Sequence, residues 1–361
     1  MNFQKILLRE NIRDLIPYSI EDYPYKIKLD ANESPYSINW SLWPEVAQEL
    51  QEIQLNRYPD PQAKKLKNAL SSYLNWPEDK MILGNGSDEL IQYILMAFGD
   101  PNRPVYAPHP TFSMYRIISI SMGMKFKKIP LEKGFELPFN QQILTDLNSQ
   151  PQKILFIATP NNPTGNFFNR DHVLDILKNT NGMVCIDEAY RDFCDEEGFL
   201  NFLPEFENLI ILRTLSKMGL AGLRVGILLA NEGAISAISK VRLPYNLNVI
   251  SQFLAHAVLN HRDLLFKMIS KIKENRSWLE KEMRKIKGIK IFPSQANFIL
   301  FSCEFDLKVI NSELLSEGIL VRVFPPEDSW PGFIRVTIGT RSECEMFIQA
   351  VNKILSSKGK K

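Results

Sequence analysis

The length, composition and charge of the chain limit what it can be. It has 361 residues, more than the roughly 250 to 300 at which one hydrophobic core stops growing, so two structural units are expected. With 45% hydrophobic and 23% charged residues, it has the composition of an ordinary soluble globular protein. Its 43 basic and 41 acidic residues are intermixed and give a formal charge of +2, which argues against nucleic-acid or anionic membrane partners.

The cysteines and the apolar segments bear on the compartment. The four cysteines lie far apart and form no C-x-x-C pair, so neither a disulfide framework nor a metal site is expected. The first residues contain too short an apolar run for a signal peptide. No segment approaches the roughly 18 apolar residues that a membrane span needs. These features predict a cytoplasmic protein.

Short apolar runs recur between about residues 80 and 230, and most are separated by helical patterns or loops. Runs that are apolar on both faces and alternate with helices are typical of a mainly parallel sheet covered by helices on each side. Such a sheet binds its ligands beyond the carboxyl ends of the strands. The runs are residues 81–83, 105–107, 154–158, 183–186, 209–212 and 225–230.

The rest of the chain has a different pattern. From about residue 249 to 287 apolar residues recur at helical spacing. Three strand candidates follow, ANFILF, GILVRVF and GFIRVTI. Ser342 and Glu345 then form a capping-box signature that would open a last helix. This pattern predicts a smaller α+β unit, with the boundary in the turn at 244–248.

A possible phosphate site follows the first apolar run. Gly84 and Gly86 free the backbone there, and Ser87 and Asp88 open a helix. The amino terminus of a helix presents unpaired N–H groups and the positive end of a dipole, which suits a phosphate. A plain capped helix start is an equally good interpretation of this segment alone.

The next two runs end in an aromatic ring and two amides. Phe112 follows the second run and could stack on a flat ligand ring, although an aromatic residue in this place is usually part of the core. Asn161 and Asn162 lie in a proline-rich turn after the third run. Asparagines in turns usually cap their own backbone, so either residue alone indicates little.

Charged groups follow the fourth and fifth runs. Asp187 comes directly after four apolar residues, and a carboxylate at the end of a buried strand is costly unless a positive group meets it. Tyr190, three residues later, could face the same ligand. The segment RTLSKMGLAGLRVG follows the fifth run and supplies Thr214, Ser216, Lys217 and Arg224. Taken alone, its lysine could simply be a surface residue.

Together these groups fit one ligand, pyridoxal 5′-phosphate. Phe112 would face its ring, Asp187 its cationic ring nitrogen and Lys217 its aldehyde; a lysine Schiff base with an Asp partner is a known pattern for this cofactor. Lys217 would be the covalent attachment and, once released by an incoming amine, the base that moves the Cα proton. The phosphate would be held by the N–H groups of residues 86–88, by the hydroxyls of Thr214 and Ser216, and by Arg224.

Several segments match a known superfamily in the same order along the chain. They are LDANESPY (29–36), NRYPDPQ (56–62), GNGSDELI (84–91), PTFSMY (110–115), PNNPTG (160–165), IDEAY (186–190), RTLSKMGLAGLRVG (213–226), SQANFIL (294–300) and GFIRVTIGT (332–340). On these segments the chain resembles the fold type I aminotransferases, and within them it is similar to the histidinol-phosphate aminotransferase family over nearly its whole length. The resemblance implies an N-terminal arm that contributes to the small domain (1–45), a large cofactor-binding domain (46–245) and a small α+β domain (246–361).

The resemblance also implies roles for single residues. Asn162 and Tyr190 would bind the 3′ oxygen of the cofactor and set the acidity of its Schiff base. Tyr58 would reach the cofactor phosphate of the other subunit, which implies an obligate homodimer. The residues implied to bind the substrate are Tyr18, Asn32, Arg322 and Arg335.

Other interpretations of these residues stay open. Arg322 and Arg335 could pair with acidic neighbours at the surface, and Tyr18 could belong to the core. One spacing departs from the superfamily, because Arg224 follows Lys217 one residue sooner than is usual. The turn between them keeps two glycines, which could absorb the difference.

The implied reaction is transamination in two half-reactions. Glutamate gives its amine to the cofactor and leaves as 2-oxoglutarate, and imidazole acetol phosphate takes the amine to become L-histidinol phosphate, a step of histidine biosynthesis. Asp187 would keep the ring nitrogen protonated. Three alternatives remain: an aromatic amino acid aminotransferase, a threonine-phosphate decarboxylase on the same scaffold, and a cofactor-sensing regulator, which the lack of a DNA-binding segment before residue 30 disfavours.

Overall fold

Strands and helices alternate along most of the chain. The computed structural model describes residues 7–17, 23–38, 43–327 and 330–358. The strands are β1 (Ile27–Lys28), β2 (Met81–Asn85), β3 (Val105–His109), β4 (Phe126–Pro130), β5 (Lys153–Ala158), β6 (Gly182–Asp187), β7 (Leu209–Thr214), β8 (Val225–Ala230), β9 (Ile289–Ile291), β10 (Phe298–Cys303), β11 (Ile319–Leu320), β12 (Arg322–Phe324) and β13 (Phe333–Thr337). The helices are α1 (Pro44–Gln51), α2 (Lys64–Leu74), α3 (Ser87–Phe98), α4 (Met114–Ser121), α5 (Gln141–Asn148), α6 (Arg170–Asn179), α7 (Glu232–Ser239), α8 (Val249–Asn260), α9 (Arg262–Met283), α10 (Leu307–Ser316) and α11 (Arg341–Lys358).

A seven-stranded sheet forms the centre of the molecule, in the order β2-β8-β7-β6-β5-β3-β4. Strands β3 to β7 pair in parallel, and β8 runs antiparallel to both of its neighbours. Every residue of β5 and β8 is buried, which explains why β8 and all of β5 after Lys153 carry no polar side chain. The α/β class with a mainly parallel sheet is therefore confirmed.

The sheet has one strand that the apolar runs did not predict. Strand β4, with the sequence FKKIP, lies at the sheet edge and exposes Lys127 and Lys128. Charged side chains are common on edge strands, where they discourage pairing with another chain. An edge strand of this kind carries no continuous apolar run.

A second, antiparallel sheet lies towards the end of the chain, in the order β12-β13-β10-β9. Helix α9 packs against β9, β10 and α11, which gives the predicted smaller α+β unit. Strand β1 pairs in parallel with β11, so the N-terminal segment is joined to this part of the molecule. Within the residues described, no helix combines the length and the apolarity that crossing a bilayer requires.

The long helical region predicted from residue 249 onwards is two helices. Asn248 caps α8 by accepting a hydrogen bond from the Ser251 N–H at 2.8 Å, and the non-helical backbone of His261 (φ −113°, ψ 35°) separates α8 from α9. Helix α8 packs against α2 of the large part. The exact domain boundaries therefore stay a prediction.

The last helix begins at Arg341, and its capping box lies two residues earlier than predicted. Thr340 donates its backbone N–H to Glu343 Oε2 at 2.7 Å, and the Glu343 N–H donates to Thr340 Oγ1 at 3.3 Å. The prediction that Ser342 and Glu345 form the box was wrong, because the helix already includes Ser342. Both pairs have the spacing that the motif needs, and only the chain direction before the helix distinguishes them.

Candidate functional site

The carboxyl ends of the central strands border a cleft of about 340 Å³. Strands β12 and β13 of the second sheet also line the cleft, and so does the segment that follows β1. Residues up to 305 positions apart in the chain meet here. The predicted residues that line the cleft are Asn32, Ser87, Asp88, Phe112, Asn162, Asp187, Tyr190, Thr214, Ser216, Lys217, Arg224, Arg322 and Arg335.

Two other predicted residues, Gly86 and Tyr58, are not among those that line this cleft. Gly86 lies beside it, at the start of α3. Tyr58 lies at the surface, where 81% of the residue is exposed and its ring stacks on that of Tyr245 with 4.6 Å between the ring centres. Tyr18 lies outside the described residues.

Glycines let two chain segments approach closely at one end of the cleft. Gly86 has φ of 84°, and a Cβ atom there would lie only 2.4 Å from Arg224 Nη2. A Cβ atom on Gly226 would lie 2.6 Å from the Ser87 backbone nitrogen. The Arg224 guanidinium therefore lies against the first turn of α3, 3.4 Å from Asp88 Oδ2. N–H groups of a helix terminus and a guanidinium converge on one point, as a phosphate site requires.

Two hydroxyls border the same end of the cleft. Thr214, the last residue of β7, donates from its hydroxyl to Ser216 Oγ at 2.9 Å and accepts the Ser216 backbone N–H at 3.1 Å. Both residues are buried. This local turn directs the chain out of β7, and the next residue is Lys217.

Lys217 lies next to an oriented phenol. It is part of a single helical turn, Ser216–Met218, and its Nζ lies 5.7 Å from the centre of the Tyr190 ring. The Tyr190 hydroxyl accepts a hydrogen bond from Asn32 Nδ2 at 2.9 Å. The Asn32 backbone N–H in turn donates to Thr337 Oγ1 at 2.9 Å. The N-terminal segment and β13 thus orient the tyrosine beside the lysine.

Asp187 is a buried carboxylate at the end of β6, and only 4% of the residue is exposed. Burial raises its pKa from 3.8 to about 6, and hydrogen bonds and the charge of Lys217 offset that rise only in part. The Tyr115 hydroxyl donates to Oδ2 at 2.6 Å, and the Ala189 N–H donates to Oδ1 at 3.0 Å. A cationic ligand atom beside this carboxylate would relieve the cost of its burial.

Tyr115 is a site residue that we did not predict. It lies in the first turn of α4 and lines the cleft with Phe112, whose ring it meets edge to face with 5.5 Å between the ring centres. The sequence signal for it is its spacing. A tyrosine three positions after Phe112 returns to the same side of the chain once a helix starts there.

Arg335 is held firmly in β13, where only 7% of the residue is exposed. It donates from Nη1 to Asn162 Oδ1 at 2.5 Å and from Nη2 to the Asp30 carbonyl at 2.6 Å. Its guanidinium carbon lies 5.3 Å from the Phe298 ring centre and 5.6 Å from that of Phe324. Cation–π contacts of this kind fix the orientation of the planar group.

Arg322 lies directly opposite Arg335 in the antiparallel pair of β12 and β13. Side chains at directly opposite positions project from the same face of a sheet. Two arginines on one face of the sheet give this part of the cleft a positive charge, which suits an anion. Planar guanidinium groups bind phosphate and carboxylate in a bidentate manner, so the pair suits either anion.

The residues of the cleft fit pyridoxal 5′-phosphate. The glycine-lined cradle at Gly86 suits a phosphate, and the buried carboxylate of Asp187 suits a protonated ring nitrogen. Phe112 borders the space between them, and the Lys217 amine lines the same cleft. A cofactor of this kind is held by just such a lysine and carboxylate.

Comparison with known proteins points to the same family. The aminotransferase class I and II family matches residues 24–351 of the chain. The chain is 39% identical over 347 residues to histidinol-phosphate aminotransferase 2 of Nitrosococcus oceani, which covers 95% of this chain and 96% of the relative. It is 38% identical over 349 residues to the histidinol-phosphate aminotransferase of Clostridium novyi, which covers 96% of each.

A solved structure shares the fold. It is the histidinol-phosphate aminotransferase from Sinorhizobium meliloti in complex with pyridoxal-5'-phosphate, which superimposes with a TM-score of 0.83 at 24% identity and covers 92% of each chain. The fold, the family match and the near full-length relatives agree. The chain belongs to the class I and II aminotransferases, within the histidinol-phosphate aminotransferase family.

Proposed function

We propose that this enzyme transfers an amino group between glutamate and imidazole acetol phosphate, producing 2-oxoglutarate and L-histidinol phosphate, with pyridoxal 5′-phosphate as cofactor. The observation that carries the proposal is the register of Arg322 opposite Arg335 in the cleft that also contains Lys217. The names of the relatives from Nitrosococcus oceani and Clostridium novyi support the same substrate. In this proposal the enzyme acts in histidine biosynthesis, in the cytoplasm.

The reaction needs a base, a ring that accepts electrons, and a group that keeps the nitrogen of this ring protonated. Pyridoxal phosphate, when bound, supplies the ring that accepts the electrons left behind when the Cα proton of the amino acid departs. Lys217 is the attachment point, and its freed Nζ is the base that moves the Cα proton. The Asp187 carboxylate accepts a hydrogen bond from the ring nitrogen and keeps it protonated. Phe112 packs on the ring face.

Two groups of side chains hold the ends of the cofactor. Asn162 and Tyr190 line the cleft with the lysine and bind the 3′ oxygen, and the hydrogen bond from Asn32 orients the tyrosine. Arg335 holds the amide of Asn162 from the other side. The cofactor phosphate is held by the N–H groups of Ser87 and Asp88, the hydroxyls of Thr214 and Ser216, and the guanidinium of Arg224. The Gly86 N–H already donates to the Arg224 carbonyl at 2.7 Å, so Gly86 contributes by letting the two segments approach closely.

The substrate anion binds at Arg335 and Arg322. In one half-reaction these residues hold the phosphate of histidinol phosphate, and in the other they hold a carboxylate of glutamate. The fixed fork of a guanidinium accepts either anion without rearranging, because both present two oxygens in one plane. Asn32 borders this part of the cleft. Tyr18 adds a hydroxyl to the phosphate site in this proposal, although it lies outside the described residues.

The active site is shared between the subunits of a homodimer, with Tyr58 reaching the cofactor phosphate of the partner subunit. This arrangement is supported by the high exposure of Tyr58 and by its absence from the cleft of its own chain. Three more exposed apolar residues belong to the segment of Tyr58 or to the segment of Tyr245, on which its ring stacks: Leu55, Leu243 and Tyr245 itself. Exposed apolar side chains gathered in this way mark interaction surfaces. The domain division at residues 45 and 245 remains part of the proposal.

An assay that compares three candidate substrates tests the proposal. The purified, cofactor-loaded enzyme is incubated with glutamate and either imidazole acetol phosphate or phenylpyruvate, and separately with threonine phosphate. We expect amine transfer to imidazole acetol phosphate to be the fastest reaction. Equal transfer to phenylpyruvate would favour an aromatic amino acid aminotransferase, and release of carbon dioxide from threonine phosphate would favour the decarboxylase.

A further inference from the structure

Tyr115 contacts both the carboxylate and the aromatic ring that face the cofactor in the proposal above. We propose that it is a positioning residue for the reaction: its hydroxyl fixes the plane of the Asp187 carboxylate against the ring nitrogen, and its ring sets the tilt of Phe112. The inference rests on the proposed role of Asp187. It goes beyond that role because Tyr115 need not touch the substrate and still determines how the ring nitrogen is held.

The Asp187 carboxylate is fixed at both of its oxygens. The Ala189 N–H donates to Oδ1 at 3.0 Å and the Tyr115 hydroxyl donates to Oδ2 at 2.6 Å. With a single donor the carboxylate could rotate about its own axis. Two donors from different chain segments define its plane, which is the condition for directing a lone pair at a ring nitrogen.

The tyrosine itself cannot move away. Its residue is fully buried, and its ring stacks on Phe156 of β5 with 4.9 Å between the ring centres and 8° between the planes. The Ser119 hydroxyl donates to its backbone carbonyl at 2.6 Å one helical turn later. A phenol held in this way keeps its hydroxyl at one point in space.

The hydroxyl also stays a donor. Burial and the nearby carboxylate of Asp187 raise the pKa of Tyr115 well above its ordinary value of 10. The phenol therefore keeps its proton at neutral pH and donates it to the ionised carboxylate. This hydrogen bond supports the charged form of Asp187, and its loss would make that carboxylate a stronger base.

Tyr106 provides a matched control. It too is a buried tyrosine, and its hydroxyl donates to the carboxylate of Asp146 at 2.8 Å, outside the cleft. Tyr106→Phe removes a hydrogen bond of the same kind without touching the site. Any effect that Tyr115→Phe shares with Tyr106→Phe reflects the stability of the fold and not the position of the Asp187 carboxylate.

The test compares cofactor binding and its pH dependence in Tyr115→Phe, Tyr106→Phe and the unaltered protein. A hydrogen bond to a charged group typically changes an equilibrium constant by a factor of about ten or more. We therefore expect Tyr115→Phe to raise the dissociation constant of the cofactor about tenfold. We also expect it to shift the pH midpoint of the visible absorbance change of the bound cofactor, and to lower kcat with little change in KM. Tyr106→Phe should change none of these.

A second variant keeps the proposal testable if Tyr115→Phe folds poorly. 3-Fluorotyrosine placed at position 115 preserves the shape and makes the hydroxyl a stronger donor. We expect the absorbance midpoint to shift in the opposite direction to that of Tyr115→Phe. Midpoints and dissociation constants equal to those of the unaltered protein in both variants would overturn the proposal.

A double variant separates this inference from the proposed function. In Asp187→Asn protein, adding Tyr115→Phe should cause no further tenfold loss of cofactor binding, because the carboxylate that the tyrosine positions is gone. An equal loss in both backgrounds would mean that Tyr115 acts independently of Asp187. If Asp187→Asn alone leaves cofactor binding unchanged, the proposed role of Asp187 is the part that fails.

Discussion

Arg322 and Arg335 occupy directly opposite positions in neighbouring antiparallel strands, and both line the cleft. Like charges at such positions destabilise a sheet. The positions of the two arginines in the cleft therefore favour a site for an anion.

Replacing Arg335 with lysine should impair both half-reactions. A lysine keeps the charge and loses the planar fork, so the bonds to the anion and to Asn162 cannot all be made. We expect the rate with glutamate and the rate with histidinol phosphate each to fall about 10- to 100-fold, as for the loss of a charge-assisted hydrogen bond. Single-turnover absorbance measurements with each amine check this. The exposed Arg262, changed to lysine, serves as the control; an Arg335→Lys enzyme with normal rates on one of the two amines would refute a shared anion site.

Tyr18→Phe should discriminate between the two amines. If its hydroxyl contacts the substrate phosphate, its removal weakens histidinol phosphate binding by about 1 kcal/mol, the usual worth of one hydrogen bond. Glutamate, which has no phosphate, should bind almost as before. Dissociation constants for both amines, measured with the same preparation, test the difference, and equal losses would count against a phosphate contact.

Lys217 should carry the cofactor. Reduction of the loaded protein with borohydride makes the bond between lysine and cofactor permanent. After digestion, the pyridoxyl label should be on the peptide that contains residue 217, and Lys217→Ala protein should incorporate none. Label on a different lysine would rule out the assignment.

Two inactive variants should restore activity when mixed. In a hybrid dimer of Tyr58→Phe and Lys217→Ala, one of the two sites has an intact lysine from one chain and an intact tyrosine from the other. We expect partial activity after subunit exchange. A mixture of Tyr58→Phe with the double variant Tyr58→Phe/Lys217→Ala contains no intact site and is the control. Subunits that exchange without any recovery of activity would mean that each site is built within one chain.

Asp187→Asn should stabilise the cofactor-free protein at neutral pH. The pKa of Asp187 is about 6 in the folded chain against 3.8 ordinarily, so the folded state binds more protons between these values and its stability falls as the pH rises through them. The total is about 3 kcal/mol, at 1.36 kcal/mol per pKa unit. Asparagine has no charge to bury, so the variant does not lose stability in this way as the pH rises. The difference in Tm between the variant and the unaltered protein should therefore grow from pH 4 to pH 7, and a constant difference would contradict the raised pKa.

Apolar runs predicted the central strands well because those strands are buried on both faces. The same criterion could not find β4, whose two exposed lysines reflect its position at the sheet edge. Nor could periodicity separate α8 from α9, because the break at His261 changes the backbone angles of one residue and leaves the apolar spacing intact.

The candidate site could be predicted where one strand end supplied one residue, as with Asp187 and Lys217. Tyr115 escaped this procedure because it belongs to a helix and reaches Asp187 from another segment. Asn32 was implied only by the family resemblance, since its contact with Tyr190 depends on how the N-terminal segment lies against β13. Contacts of this kind are set by tertiary packing, which no local pattern records.

The antiparallel direction of β8 has a consequence for how this enzyme can change over generations. Most pairs of residues in the cleft come from different strands, so the sheet fixes the distance between them. Lys217 and Arg224 instead lie on one connection, between β7 and β8, and Arg224 directly precedes the second strand. A single inserted or deleted residue there would alter the distance between the proposed covalent anchor of the cofactor and its proposed phosphate ligand without changing the pairing of β7 with β8. A change in the length of this connection is therefore easier for the architecture to accept than a change within paired strands.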